Sequence, residues 1–214
     1  MAAIYFPSCN FTKASPRAAK RLRDYMKERM PVAGCCRVDK TPYPAGATAL
    51  YFCQACRETL EAKEGNQLLL ENLFVWLDRQ EDFPWPDYSG LVVNVQDCWR
   101  DRKHPEIFQA VRSCLGKMRV QVREMEENRE RSVFCGNLHF EPHLPENIAL
   151  VNARPGVPLY DFPEEEQARL FAEQAAKYTA PLAVTYCNRC TAGISLGGGK
   201  AVHLIELAME TYLE

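Results

Sequence analysis

The chain has 214 residues, 26 lysines and arginines against 28 aspartates and glutamates for a formal net charge of -2, and 47% hydrophobic residues. That near-neutral balance gives no basic field for nucleic acid or an anionic membrane, and the apolar content suffices for a core without metal or disulfide staples. No eighteen uncharged apolar residues follow one another, and the opening MAAIYFPSCNFTKAS lacks the basic, apolar and small-residue succession of an export signal, so a soluble cytoplasmic protein without a transmembrane segment is expected.

In chain order, Ile4-Tyr5-Phe6 is a β-rich run that stops just before Cys9, and Pro16 to Arg29 has the character of a helix. The adjacent pair Cys35-Cys36 follows, then an apolar run from Ala49 to Phe52 that ends at Cys53-Gln54-Ala55-Cys56. Gln67 to Leu77 is predicted helical. Residues 81–90 combine two prolines, a glycine and acids, which places a boundary between domains 1–85 and 86–214.

Beyond the boundary, Leu91 to Val95 forms a strand before Cys98, and Pro105 to Leu115 a helix. Cys135 stands alone. Glu164 to Lys177 is helical, Leu182 to Tyr186 is a strand that ends at Cys187-Asn188-Arg189-Cys190, and Val202 to Leu213 is predicted as a closing helix. The alternation predicts an α/β fold of two similar cysteine-rich halves related by duplication, with metal sites where loops converge beyond the carboxyl ends of parallel strands.

Ten cysteines in a reducing compartment point to metal or redox chemistry, and nine of them obey the pattern. A Cys-x-x-Cys turn aims two thiolates at one centre, and soft sulfur ligands suit zinc or iron–sulfur clusters rather than magnesium or calcium. Five thiolates in the first half exceed the four that zinc or an ordinary four-iron cluster takes. Cys114 shares helical spacing with Ile107, Phe108, Val111 and Leu115, which assigns it to packing. His104, His139, His143 and His203 are read as hydrogen-bonding residues, with His139 and His143 near enough to Cys135 to assist a site there. Gly197-Gly198-Gly199-Lys200 lacks the full phosphate-loop spacing and is read as a turn; Trp76, Trp85 and Trp99 are not spaced as a base-stacking platform.

Ser8-Cys9, Gly34-Cys35-Cys36 and Phe52-Cys53-Gln54-Ala55-Cys56, with Asp97-Cys98-Trp99, Phe134-Cys135-Gly136 and Tyr186-Cys187-Asn188-Arg189-Cys190, resemble the duplicated cysteine-rich (CCG) domain. The likeness is to the cysteine-rich subunit of heterodisulfide reductase and to the iron–sulfur subunits of glycolate and lactate oxidases; it extends to the stretch from Met125 to Ser132 and to the ending Val202 to Leu207. It implies a non-cubane four-iron cluster on Cys9, Cys35, Cys36, Cys53 and Cys56, with a thiolate of the adjacent pair bridging irons. Three departures stand out. Arg37 occupies the usual glycine position, the interval from Cys36 to Cys53 is short, and Phe134 replaces the first cysteine of the second pair. The second site is left with Cys98, Cys135, Cys187 and Cys190, a set for a four-iron cluster or zinc.

The resemblance implies an iron–sulfur oxidoreductase subunit that transfers electrons and reduces a small disulfide or related substrate at the first cluster. Without a ferredoxin-type cysteine run or a dinucleotide fingerprint, electrons must come from a partner carrying ferredoxin-type clusters or flavin. The alternative is a noncatalytic zinc- or cluster-binding module, structural or electron-relaying.

Overall fold

The computed structural model describes residues 2–63, 65 and 67–212. The first half contains β1 (Ala3–Tyr5), α1 (Cys9–Ala14), α2 (Pro16–Lys27), β2 (Thr48–Tyr51), α3 (Gln54–Glu61), β3 (Leu69–Asn72) and α4 (Leu73–Asp78). The second contains β4 (Val92–Gln96), α5 (Pro105–Lys117), β5 (Gln121–Arg123), α6 (Pro145–Asn152), α7 (Glu164–Ala175), β6 (Ala183–Thr185), α8 (Asn188–Leu196), β7 (Ala201–His203) and α9 (Leu204–Ala208). None of these helices is long and apolar enough to cross a membrane.

The fold is α/β with two parallel sheets, ordered β1-β2-β3 and β5-β4-β6-β7. In the first sheet Val32 bridges Tyr5 in parallel at the β1 edge, where β5 flanks β4 in the second. Both halves therefore lay down their strands in corresponding order. α2 and α5 each begin with proline behind a residue of nearly the same conformation, Ser15 at φ -135°, ψ 69° and His104 at φ -125°, ψ 69°. Proline suits the first helical turn because its missing N–H would have no intrahelical acceptor there.

One apolar core crosses both halves, from Phe11, Leu22 and Phe52 to Val93, Phe134, Phe171 and Ile205; a smaller cluster lies around Ile4, Phe6, Cys36, Ala49 and Cys56. The segment 81–90 contains neither helix nor strand, and it is packed down: Phe83 is buried against Tyr25 of α2 and Trp85.

Two predicted helices divide differently. Gln67 to Leu77 splits into β3, which pairs with β2, and α4, whose Asn72 cap accepts a hydrogen bond from Phe74 N at 2.9 Å. Val202 to Leu213 splits into β7, which pairs with β6, and α9, capped by His203 Nδ1 accepting from Ile205 N at 3.2 Å; Leu213 lies outside the described residues. Each apolar run contains a strand, a polar cap and a short helix, and the neighbouring strand supplies the pairing that local periodicity lacks.

Candidate metal centres

Four of the strands deliver cysteines as the sequence predicts: Cys9 begins α1 after β1, Cys53 follows β2, Cys98 follows β4, and Cys187 follows β6. Cys53 and Cys187 occupy the same local position, the N-cap of the helix that carries the second thiol of each Cys-x-x-Cys. Unpaired N–H groups at a helix start favour a thiolate there. The Cys53 thiol is drawn down to about 6, chiefly by hydrogen bonding from Cys56 and against the effect of burial. Cys187 is likewise pulled well down, first by Cys135 and then by Cys190 and Cys98. In the first set Cys35 is also drawn down, chiefly by hydrogen bonding from Cys9, so negative charge has two seats there and one, Cys187, in the second set.

In the first set, Cys9, Cys35, Cys36, Cys53 and Cys56 line a cavity of about 100 Å³. A water molecule occupies about 30 Å³, so there is room for a group larger than a lone ion. Cys9 pairs with Cys35, and Cys56 with both Cys36 and Cys53. Cys9 is exposed and Cys35 half-buried, whereas Cys36, Cys53 and Cys56 are buried. The loop holding the adjacent pair is pinned by Asp39, whose carboxylate accepts from Gly34 N and Thr41 N at 2.8 Å and from Tyr43 Oη at 2.7 Å. The Thr41 side chain first, and then these donors, hold the Asp39 carboxyl well below its usual range. At Cys9 and Cys35 the small cavity adjoins one of about 560 Å³ lined also by Lys13, Arg23 and Lys27.

The second set is closed. Cys98, Cys135 and Cys190 are 0% exposed and Cys187 is 3%, and all four Sγ atoms lie within 4.8 Å of one another. Cys98 to Cys135 is 3.4 Å and Cys135 to Cys187 is 3.9 Å. This buried group could hold a metal ion. Burial pushes the Cys98 and Cys190 thiols far up, so without a cation these sulfurs resist ionising together.

Asp97 organises the second set from behind. Its carboxylate accepts from Arg112 Nη2 at 2.8 Å and Arg129 N at 2.7 Å, and its carbonyl from Ser132 Oγ at 2.6 Å. Tyr186 Oη accepts from Cys98 N at 3.0 Å and donates to Asp97 at 3.3 Å. The two sets are clamped together through Asp101, which accepts from Gln54 Nε2 at 2.6 Å and pairs with Arg57 at 2.5 Å. Arg57 also donates to Arg100 O at 2.8 Å, and Arg100 pairs with Glu58. Sequence reasoning missed this clamp. Its one visible signal is a pair of acids, Asp97 and Asp101, flanking Cys98 in a run otherwise destined for burial.

The remaining candidates have structural places. Cys114 is fully buried in the core, its thiol directed to Phe74 O at 3.8 Å. His139 stacks on Trp99 at 3.8 Å and meets Glu141 at 2.8 Å; His143 meets Glu127 at 2.8 Å. The glycine run ends α8: Gly198 N donates to Ser195 O at 3.0 Å and Gly199 N to Ile194 O at 2.9 Å, with Gly198 at φ 83°. This paired closure satisfies the last helix carbonyls. A Cβ on Gly197 would stand 2.4 Å from the Phe171 backbone, so the run serves contact between α8 and α7. Comparisons with protein-family models, curated proteins and solved structures found no match.

Proposed function

We propose that the chain is an iron–sulfur oxidoreductase subunit whose first set, Cys9, Cys35, Cys36, Cys53 and Cys56, holds a four-iron cluster of non-cubane type and reduces a disulfide there. The observation that carries this reading is the open five-thiol cavity with its neighbour: a polynuclear group seated in about 100 Å³ meets, at Cys9 and Cys35, a larger cavity able to admit substrate. The residues fit such a group, since five soft ligands surround space too large for one ion and one edge remains open.

A bound cluster supplies single electrons and an iron that accepts sulfur. Lys13, Arg23 and Lys27 would hold the anionic end of a small disulfide, and Cys36, Cys53 and Cys56 shield the buried side. Two electrons and two protons convert RSSR′ to RSH and R′SH, breaking one S–S bond and forming two S–H bonds. The electrons come from a partner carrying ferredoxin-type clusters or flavin, and the protons from solvent at the open edge. Duplication of one cysteine-rich unit, in the reducing cytoplasm that keeps all ten cysteines free, accounts for the corresponding strand orders and thiols.

The second set, in this reading, is a relay cluster or a structural zinc. The test is iron, zinc and sulfide content with EPR spectroscopy on protein purified without oxygen, before and after adding a thiol. Iron and sulfide with a thiol-sensitive signal, lost in Cys36→Ser and kept in Cys114→Ala, is the expected result. A reducible but thiol-insensitive signal would make the chain an electron relay. Zinc without sulfide after anaerobic reconstitution would leave a noncatalytic structural module.

A further inference from the structure

The sulfur spacing of the second set is a length that distinguishes one metal ion from four. A tetrahedral ion with metal–sulfur bonds of about 2.3 Å sets its ligand sulfurs about 3.8 Å apart. In a four-iron cluster each thiolate points outward from a different iron, and the ligand sulfurs stand roughly 6 Å apart. The second set measures 3.4 Å and 3.9 Å, with all its sulfurs within 4.8 Å.

We infer that Cys98, Cys135, Cys187 and Cys190 form a closed site for a single zinc ion, and that the four-iron cluster also expected there does not fit. The surrounding packing fixes the small spacing. Gly136, at φ 53°, lies so close to α8 that a Cβ on it would stand 2.1 Å from the carbonyl oxygen of Arg189, one of the two residues between the thiols of the Cys-x-x-Cys. From the other side, a Cβ on Gly193 would stand 2.7 Å from Gly136 Cα and 2.8 Å from Phe134 Cζ.

The Cys135 loop and α8 therefore meet backbone to backbone. Phe134 is wholly buried, its ring packed on Phe140 and Phe171 at 5.6 Å and 5.5 Å and its carbonyl oxygen 3.7 Å from Cys190 Sγ. Trp99 N donates to Phe134 O at 3.1 Å and Cys135 N to His139 O at 2.7 Å, tying the Cys98 turn and the Cys135 loop in place. Spreading the four sulfurs to cluster spacing would undo these contacts together. With no ligand position facing solvent, the site has the closed four-thiolate form of structural zinc, not the open form of a reactive metal.

Zinc is redox-inert, so electrons bound for the first set do not pass through the second. Instead the ion joins the Cys98 turn, the Cys135 loop and α8, and through Asp101 it steadies Arg57 and the helix that carries Cys56. This inference concerns the second set alone and holds whether or not the first carries a cluster.

The test is metal and sulfide analysis of the full chain and of a variant with Cys36, Cys53 and Cys56 replaced by serine, together with zinc-edge X-ray absorption on the full chain. One zinc per chain without sulfide in the variant, and four sulfur neighbours about 2.3 Å from zinc in the full chain, is the expected outcome. Replacing zinc with cobalt should give the intense visible absorption of a tetrahedral tetrathiolate ion. Iron with sulfide retained by the variant would overturn the inference, as would a single iron without sulfide or a folded variant with no metal. If the variant does not fold, the full-chain absorption spectrum decides: iron neighbours, or no zinc, would overturn it. Iron and sulfide present in the full chain but lost in the variant belong to the first set, so the two readings fail separately.

Discussion

The two cysteine sets begin from one local device and end with opposite surroundings. Each places a thiol at the N-cap of a helix directly beyond a parallel strand and a second thiol one turn later. The first set opens through exposed Cys9 onto a cavity rimmed by three cations; the second is sealed by Phe134 and by glycine contacts that bring α8 against the Cys135 loop. Local geometry of the Cys-x-x-Cys therefore does not decide what a site holds. The elements closing over it do, because they set both the sulfur spacing and the access of solvent.

The comparison breaks most decisively at the ligands. Cys98→Ser should abolish metal binding at the second set and lower the melting temperature by roughly 15 °C or prevent folding, because binding of a structural metal adds directly to folding free energy. Cys36→Ser should remove the first-set chromophore while leaving a cooperative thermal transition. Equal destabilisation by both would erase the distinction between an open working site and a closed structural one.

Next in size is the clamp between the sets. Asp101→Ala leaves the buried Arg57 guanidinium only the more distant, half-exposed Glu61 carboxylate at 3.8 Å, and should cost about 3 kcal/mol in urea unfolding. A loss below about 1 kcal/mol would mean that the halves hold together without it.

The helix caps offer a smaller, pH-dependent test. Asn72 and His203 cap corresponding helices, but burial among Phe11, Phe52 and Phe74 pushes the His203 imidazole down from 6.5 to about 4. Between those values the unfolded chain binds a proton that the folded chain refuses, so stability is full above pH 6.5 and falls as pH drops towards 4. The loss is about 3 kcal/mol. His203→Asn keeps a cap acceptor and should flatten that part of the stability profile, measured by urea midpoints across the range.

At the cavity rim, reversing Arg23 and Lys27 to glutamate should raise KM for 3,3′-dithiodipropionate roughly tenfold while leaving KM for neutral 2-hydroxyethyl disulfide nearly unchanged. Equal effects on both disulfides would remove the cations from substrate selection. The smallest change is expected from Cys114→Ala, about 1 kcal/mol of lost packing with metal and sulfide content intact.

By itself the sequence determined the α/β alternation, the strands leading to Cys9, Cys53, Cys98 and Cys187, the helices at Pro16, Pro105 and Glu164, and the packing role of Cys114. These depend on apolar period, proline position and cysteine spacing within a few residues. It misread the starts of the runs from Gln67 and from Val202, because the strand character of Leu69–Asn72 and of Val202 and His203 comes from pairing with β2 and β6. Tertiary structure alone decided that Asp101 meets Arg57, 44 residues away in the chain, and that four sulfurs gather within 4.8 Å while five others line an open cavity. Spacing along a chain counts candidate ligands, but the distance between their sulfurs is fixed by which backbones can approach, and here glycine and Phe134 set that approach.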